Sequence, residues 1–121
     1  MPKPELEFRP TKNFPWERKV GFAQQILAHD PETGDITKIV SRDPGHEQFG
    51  PAQVHEDFWE EVYILSGSIY DKALKKWFTA GEYCCRPPGM IHGPYTSCPN
   101  EGVKMFVNVR YVRKSDLPEN S

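Results

Sequence analysis

Prolines and glycines lie so close together along this chain that few segments are long enough for a helix. Its 121 residues include 12 prolines and 9 glycines, and both residue types interrupt regular secondary structure. Short strands joined by turns fit this spacing better than helices do. A chain of this length holds the core of one domain. The sequence therefore predicts a single all-β domain over residues 1–121, built as a barrel or a sandwich.

The first regular segments are predicted to form a hairpin. Residues 35–41 are rich in β-branched side chains, which favours a strand. The Asp-Pro-Glu-Thr-Gly sequence at 30–34 is typical of a turn. Residues 22–29 fit either a strand or a short helix. If they form a strand, the two flanks of the turn pair with each other.

A second group of strands is predicted further along the chain. Residues 60–71 carry closely spaced apolar side chains interrupted by Gly67, which favours two strand pieces with a bend or bulge between them. A turn is predicted over 72–76, although 71–78 alone would also fit a short helix.

Two further strands and the two chain ends complete the expected organisation. Residues 82–86 and 104–112 are predicted strands, the second because apolar and polar side chains alternate along it. The proline-rich segment 1–16 is predicted to form an extended N-terminal arm. Residues 113–121 are predicted to form a loose C-terminal tail.

The charge and hydropathy of the chain argue against several classes of partner. Lysine and arginine number 15 against 17 aspartates and glutamates, a net charge of −2, so no strong basic field would attract nucleic acid. The mean hydropathy of −0.67 and the lack of a long apolar run argue against a membrane span. The first residues lack the apolar segment of a secretion signal. We therefore expect a cytoplasmic protein whose three cysteines are reduced.

The segment from Gly81 to His92 contains regularly spaced turn residues and ends in a histidine. Five residues separate Gly81 from Pro87-Pro88-Gly89, and two more precede His92. Gly81 would allow the turn into a strand, Pro87 would end that strand, and Gly89 would let the chain reverse. Taken alone, His92 fits a hydrogen-bonded core histidine as well as a metal ligand. The pattern resembles the second motif of the cupin superfamily, whose usual asparagine is replaced here by Thr96.

The preceding segment partly matches the first cupin motif, which is His-x-His, three or four residues, Glu, six residues and Gly. Counting back from Gly67 places Glu60 at the carboxylate position and His55 at the second histidine. The first histidine position is occupied by Gln53. In a strand, residues two apart share a face, so Gln53 and His55 are expected to point together into a barrel.

A second register of this motif is less satisfactory. It would pair His55 with Asp57 and use Glu61, but it leaves five residues rather than six before Gly67. Four acidic residues crowd into 56–61, and an exposed, hydrated loop explains three of them. The register that uses Glu60 is therefore preferred.

Glu60 differs from its acidic neighbours in its predicted surroundings. It shares a strand face with Val62 and Ile64, where an isolated anion would be costly. A bound cation would remove that cost, and so would a proton on Glu60 in a metal-free pocket.

Two imidazoles and one carboxylate, from His55, His92 and Glu60, are thus expected to converge. This set suits Fe(II) with open positions for oxygen or substrate, and Mn, Ni, Co or Zn would also accept it. We expect one divalent transition metal per chain, with Fe(II) favoured. Gln53 would add a weak fourth ligand or, preferably, a hydrogen bond from outside the ligand set that orients a ligand or bound oxygen.

Within the cupins the chain resembles small single-domain members, similar to the cupin domains of anti-sigma factors and to acetophenone or β-diketone dioxygenases. This resemblance implies a double-stranded β-helix, or jelly roll, a mononuclear metal and a homodimer. It also implies an enzyme that acts on a small oxygenated organic molecule, foremost an Fe(II) dioxygenase cleaving a ketone or phenolic substrate.

Two other readings of the resemblance stay open. A metal-dependent isomerase, lyase or decarboxylase of the same fold would use Glu60 as a proton carrier. A non-catalytic metal or small-ligand sensor, or a structural cupin with a degenerate site, would perform no chemistry.

Overall fold

The computed structural model describes residues 2–116, which form antiparallel strands and two short turns of 3-10 helix. None of the helices in this part of the chain is long or apolar enough to cross a membrane. The strands are β1 (Trp16–Lys19), β2 (Phe22–His29), β3 (Ile36–Arg42), β4 (Gln53–Val54), β5 (Phe58–Asp71), β6 (Lys76–Thr79), β7 (Tyr83–Arg86), β8 (Ile91–His92), β9 (Tyr95–Ser97) and β10 (Val103–Tyr111), and the 3-10 turns are Thr11–Asn13 and Lys114–Asp116. The all-β prediction is confirmed.

The main sheet runs in the order β1-β2-β3-β10-β5-β6, and β7 and β9 also pair with β5. A separate two-stranded sheet joins β4 to β8. Every one of these pairings is antiparallel. The segment left open between strand and helix, 22–29, is β2, and it forms the predicted hairpin with β3.

Strand β5 connects the two halves of the molecule. Its first part pairs with β10 and β7, and its last part, from Ser68, pairs with β6 and β9. Leu65 is an extra residue in the register with β10, since Lys104 lies opposite Ser66 and Met105 opposite Ile64. The two predicted strand pieces are therefore one strand, and the predicted bend takes the form of a bulge and a change of partners.

The inward faces of these strands form one apolar core. Along β10, Val103, Met105, Val107 and Val109 are buried, whereas Lys104 and Phe106 between them are exposed. The core continues onto Val40 of β3 and the Val62 and Ile64 side of β5. Alternation with a period of two thus separates the interior of the barrel from its surface.

The two chain ends are attached to the sheet where they are described. The buried amide of Gln25 donates hydrogen bonds to the backbone carbonyls of Thr11 and Phe14. At the other end, Arg113 pairs with Asp35. Residues 1 and 117–121 of the predicted arm and tail lie outside the described residues, and the predicted homodimer stays a prediction.

Gly67, a motif residue, is predicted to be irreplaceable for structural reasons. Its φ of +74° is in the left-handed region, and a Cβ there would lie 2.1 Å from the backbone oxygen of Gly102. Gly81 has a φ of +90° but nothing within 4 Å of such a Cβ. We expect Gly67→Ala to lower the free energy of unfolding by at least about 2 kcal/mol and Gly81→Ala by about 1 kcal/mol, in urea denaturation. Equal losses would mean that the clash with Gly102 does not matter.

Candidate metal centre

The side chains of His55, Glu60 and His92 meet inside the barrel. One potential ligand atom from each lies within 4.8 Å of the others. His92 is buried, with 8% of its surface exposed, and the other two are half-buried. The preferred register of the first motif is therefore the one that brings these three together, whereas Glu61 of the second register is exposed and accepts a hydrogen bond from Tyr83.

Glu60 is paired with an arginine on the neighbouring strand. It lies directly opposite Arg86 in the β5–β7 register, and Arg86 Nη1 lies 2.9 Å from Glu60 Oε1. Both side chains keep only 18% of their surface exposed. The sequence left open whether a metal or a proton offsets the charge of the Glu60 carboxylate. In the structure Arg86 already offsets part of that charge. No hydrogen bond within residues 2–116 uses Glu60 Oε2.

Arg86 also reaches the histidine, through a tyrosine. Its Nη2 donates to the hydroxyl of Tyr95, and that hydroxyl lies 3.2 Å from Nδ1 of His92. The other ring nitrogen, His92 Nε2, is buried and has no hydrogen-bond partner among the described residues. A buried polar atom without a partner is costly, so Nε2 is a position that a ligand would fill.

The surroundings keep these groups neutral. Burial, with a further contribution from Arg86, lowers the pKa of His92 to about 4. Burial also raises the pKa of Tyr95 to about 12. At neutral pH the imidazole is unprotonated and the phenol is protonated, and an unprotonated imidazole is the form that binds metals.

His55 and Gln53 come from the short sheet and its following loop. Gln53 is the direct partner of His92 in the β4–β8 register, and both line the same cavity. His55 follows β4 rather than lying in it, so it is the loop and not strand alternation that positions its ring. The ring stacks on Phe58 with centroids 4.6 Å apart, and the His55 carbonyl accepts a hydrogen bond from Gly89 N at 2.8 Å. This bond ties the two motifs together.

The residues present fit a divalent transition metal. Two imidazoles and a carboxylate are the donor types that such ions prefer, and His92 Nε2 lacks any other partner among residues 2–116. The candidate donor atoms lie within 4.8 Å of one another, and side-chain rotations that bring them to separations of about 3–3.5 Å would match the spacing of donors around such an ion. Binding through Nε2 requires the tautomer in which His92 Nδ1–H donates to Tyr95.

The three candidate ligands line a cavity of about 600 Å³. Its walls are the inward faces of the main strands, and much of the lining is the apolar core. Met90 and Ile91, next to His92, line it and are 44% and 70% exposed. The volume suits a small organic molecule.

The fold and the family agree with this site. The ChrR Cupin-like domain family matches residues 6–113, so the chain belongs to that family of cupins. The predicted jelly roll and the predicted resemblance to small single-domain cupins are thereby confirmed. No curated protein matches the sequence.

Solved structures extend the likeness at low sequence identity. An RmlC-like cupin from Shewanella frigidimarina shares 20% identity with a TM-score of 0.70, over 97% of this chain and 100% of that one. The polyketide cyclase RemF from Streptomyces resistomycificus shares 20% identity with a TM-score of 0.66, over 95% and 89%. An acetylacetone dioxygenase from Acinetobacter johnsonii shares 16% identity with a TM-score of 0.62, over 96% and 83%. At these identities the likeness is one of fold.

Sequence reasoning missed Arg86 and Tyr95. Arg86 lies within the spacer of the second motif and Tyr95 three residues after His92, and neither position carries a local signal. Arg86 would have been found only from the β5–β7 register, which places it opposite Glu60. That pairing joins strands that are separated in the chain by β6.

Removing Arg86 is expected to destabilise the metal-free protein. Arg86→Met leaves the Glu60 carboxylate without its partner, so the free energy of unfolding should fall by about 2 kcal/mol. Glu60→Gln in the same chain should restore most of this loss, because the uncompensated charge is gone. Denaturant titration of the four members of this cycle after metal removal measures the coupling.

The matched control is Arg110→Met, which removes a more exposed pair with Asp116. A much smaller change is expected there. If Arg86→Met cost no more than Arg110→Met, the Glu60–Arg86 pair would not be a structural requirement.

Proposed function

We propose that this cupin is a metal-dependent enzyme acting on a small oxygenated organic molecule, most concretely an Fe(II) dioxygenase that cleaves a ketone or phenolic substrate. The observation that carries the proposal is the buried Nε2 of His92, which has no partner within residues 2–116 and lies beside His55 and Glu60. The likeness to an acetylacetone dioxygenase favours the reaction class.

In this proposal His55, Glu60 and His92 would hold the metal, which when bound would supply Lewis-acid and one-electron chemistry toward an oxygenated substrate. Arg86 holds Glu60 through Oε1, which leaves Oε2 as the oxygen that would be available to a metal. The Tyr95 hydroxyl oxygen would accept a hydrogen bond from His92 Nδ1–H and so fix the orientation of the ring. The apolar walls exclude water from the reacting molecule.

We place Gln53 and Glu60 closest to the reacting atoms. Gln53 lies opposite His92, where its amide would hydrogen-bond a bound oxygen or serve as a weak fourth ligand. In an isomerase, lyase or decarboxylase, Glu60 would instead carry a proton. The likeness to a polyketide cyclase supports this alternative. The partner is then a small molecule in each case.

The metal content of the purified protein tests the site. Protein prepared without chelator should hold about one transition metal ion per chain, and His92→Ala should lower this at least about tenfold, because it removes a ligand. Elemental analysis by plasma mass spectrometry measures both.

His29→Ala is the matched control, since His29 is exposed at the end of β2, and it should keep its metal. Gln53→His restores the usual first motif and should keep or tighten metal binding. Unchanged metal in His92→Ala, or lost metal in Gln53→His, would contradict the assigned ligand set.

Oxygen uptake tests the reaction class. The Fe(II)-loaded protein should consume oxygen in the presence of pentane-2,4-dione, and Glu60→Gln should reduce the rate by at least about a hundredfold, because it weakens the ligand set. An oxygen electrode measures the rate. Metal-loaded protein that converts a diketone without taking up oxygen would favour the isomerase or lyase.

A further inference from the structure

The cavity next to the candidate metal centre is lined by two basic side chains that the proposed chemistry does not use. Lys38 and Arg42 lie on β3 and flank the buried Val40 on its inward face. Both line the same cavity as His55, Glu60 and His92. Strand β10 lies between β3 and β5 in the sheet. The strand that carries the two basic side chains is therefore about 10 Å from the strand that carries Glu60.

Arg42 has no polar partner among residues 2–116. Its Nε is buried without a hydrogen bond, and none of the ion pairs in this part of the chain involves it. Its described contact is with the ring of Phe22, 5.9 Å from the guanidinium carbon. A guanidinium presents five donors in a fork that matches a carboxylate, so one without a polar partner inside a cavity is able to bind an anion.

Lys38 is held by a neutral group. Its Nζ donates to Gln24 Oε1 at 3.1 Å, and the amide of that glutamine donates in turn to Glu17 on the surface. Burial lowers the pKa of both Lys38 and Arg42, while the charge of Glu60 opposes this effect at both. A polar but uncharged partner keeps the ammonium in place without neutralising it.

The negative groups in the cavity are already occupied. Glu60 is paired with Arg86. Asp71 is buried, and its Oδ1 accepts hydrogen bonds from the backbone amides of Ala73 and Leu74. Glu82, which also lines the cavity, is exposed and accepts a hydrogen bond from Thr79 N. The lining therefore contains as many acidic as basic side chains, but none of its carboxylates is paired with Lys38 or Arg42.

We infer that Lys38 and Arg42 form a carboxylate-binding subsite, and that the molecule taken up by this cavity is an organic acid whose carboxylate lies against β3 while its other oxygens face His55, Glu60 and His92. The inference rests on the proposed function for the second half of this statement only. The subsite itself depends on the chain's own charges and is present without a metal.

The test compares 4,6-dioxoheptanoate, a diketone that carries a carboxylate, with its neutral methyl ester. Binding to the metal-free full-length protein is measured by isothermal titration calorimetry. The acid is expected to bind at least about tenfold more tightly than the ester, as charge-assisted hydrogen bonds to one carboxylate require. In the double variant Lys38→Met/Arg42→Met the two compounds should bind equally.

The control double variant is Arg18→Met/Lys104→Met, because both side chains are exposed on the outside of the sheet. It should keep the preference for the acid. Equal binding of acid and ester to the unchanged protein would overturn the subsite, and so would a preference that survives in Lys38→Met/Arg42→Met. The comparison of acid and ester in the unchanged protein needs no variant, so it tests the subsite even if a substitution prevents folding.

Repeating the titration with the Fe(II)-loaded protein separates the two proposals. Preference for the acid without metal, together with no oxygen uptake after loading, would uphold the subsite and contradict the dioxygenase. Oxygen uptake at equal rates and equal KM with acid and ester would uphold the dioxygenase and overturn the subsite.

Discussion

One guanidinium organises the interior of this protein. Arg86 donates from Nη1 to Glu60 and from Nη2 to Tyr95, whose hydroxyl lies 3.2 Å from His92 Nδ1. Two of the three candidate ligands are therefore held by the same fork, from strand β7. A carboxylate placed among buried valines needs such a partner, because an isolated anion there would be protonated or would unfold the core. The need to pair the Glu60 carboxylate with Arg86 therefore fixes the arrangement of the site.

The fold could be predicted from the sequence because its signals are local. The alternation along 104–112 and the turn at 30–34 each specify one element from its own residues, and they correspond to β10 and to the β2–β3 turn. His55, Glu60 and His92 were also found, since the motif spacings carry them. The structure then brought these three together.

The features that the sequence did not predict depend on pairings between strands that are not consecutive in the chain. Arg86 lies opposite Glu60 only because β7 pairs with β5 on the side away from β10, and no local pattern specifies that register. The inward position of Lys38 was equally hidden, since Ile36 and Val40 on one face of β3 are matched by Ile39 on the other. The prediction also placed His55 in a strand, because it assumed strand alternation, whereas His55 lies in the loop after β4.

The two ends of the cavity differ in how their charges are balanced, and that difference is what makes the cavity asymmetric. At the candidate metal centre, Glu60 and Arg86 form an ion pair, so a bound metal would share the carboxylate with a guanidinium. On β3, neither Lys38 nor Arg42 forms an ion pair with a carboxylate of the described chain. A buried charge without a partner reduces the stability of the folded protein. An anion that binds Lys38 and Arg42 in the folded protein would therefore raise the free energy of unfolding.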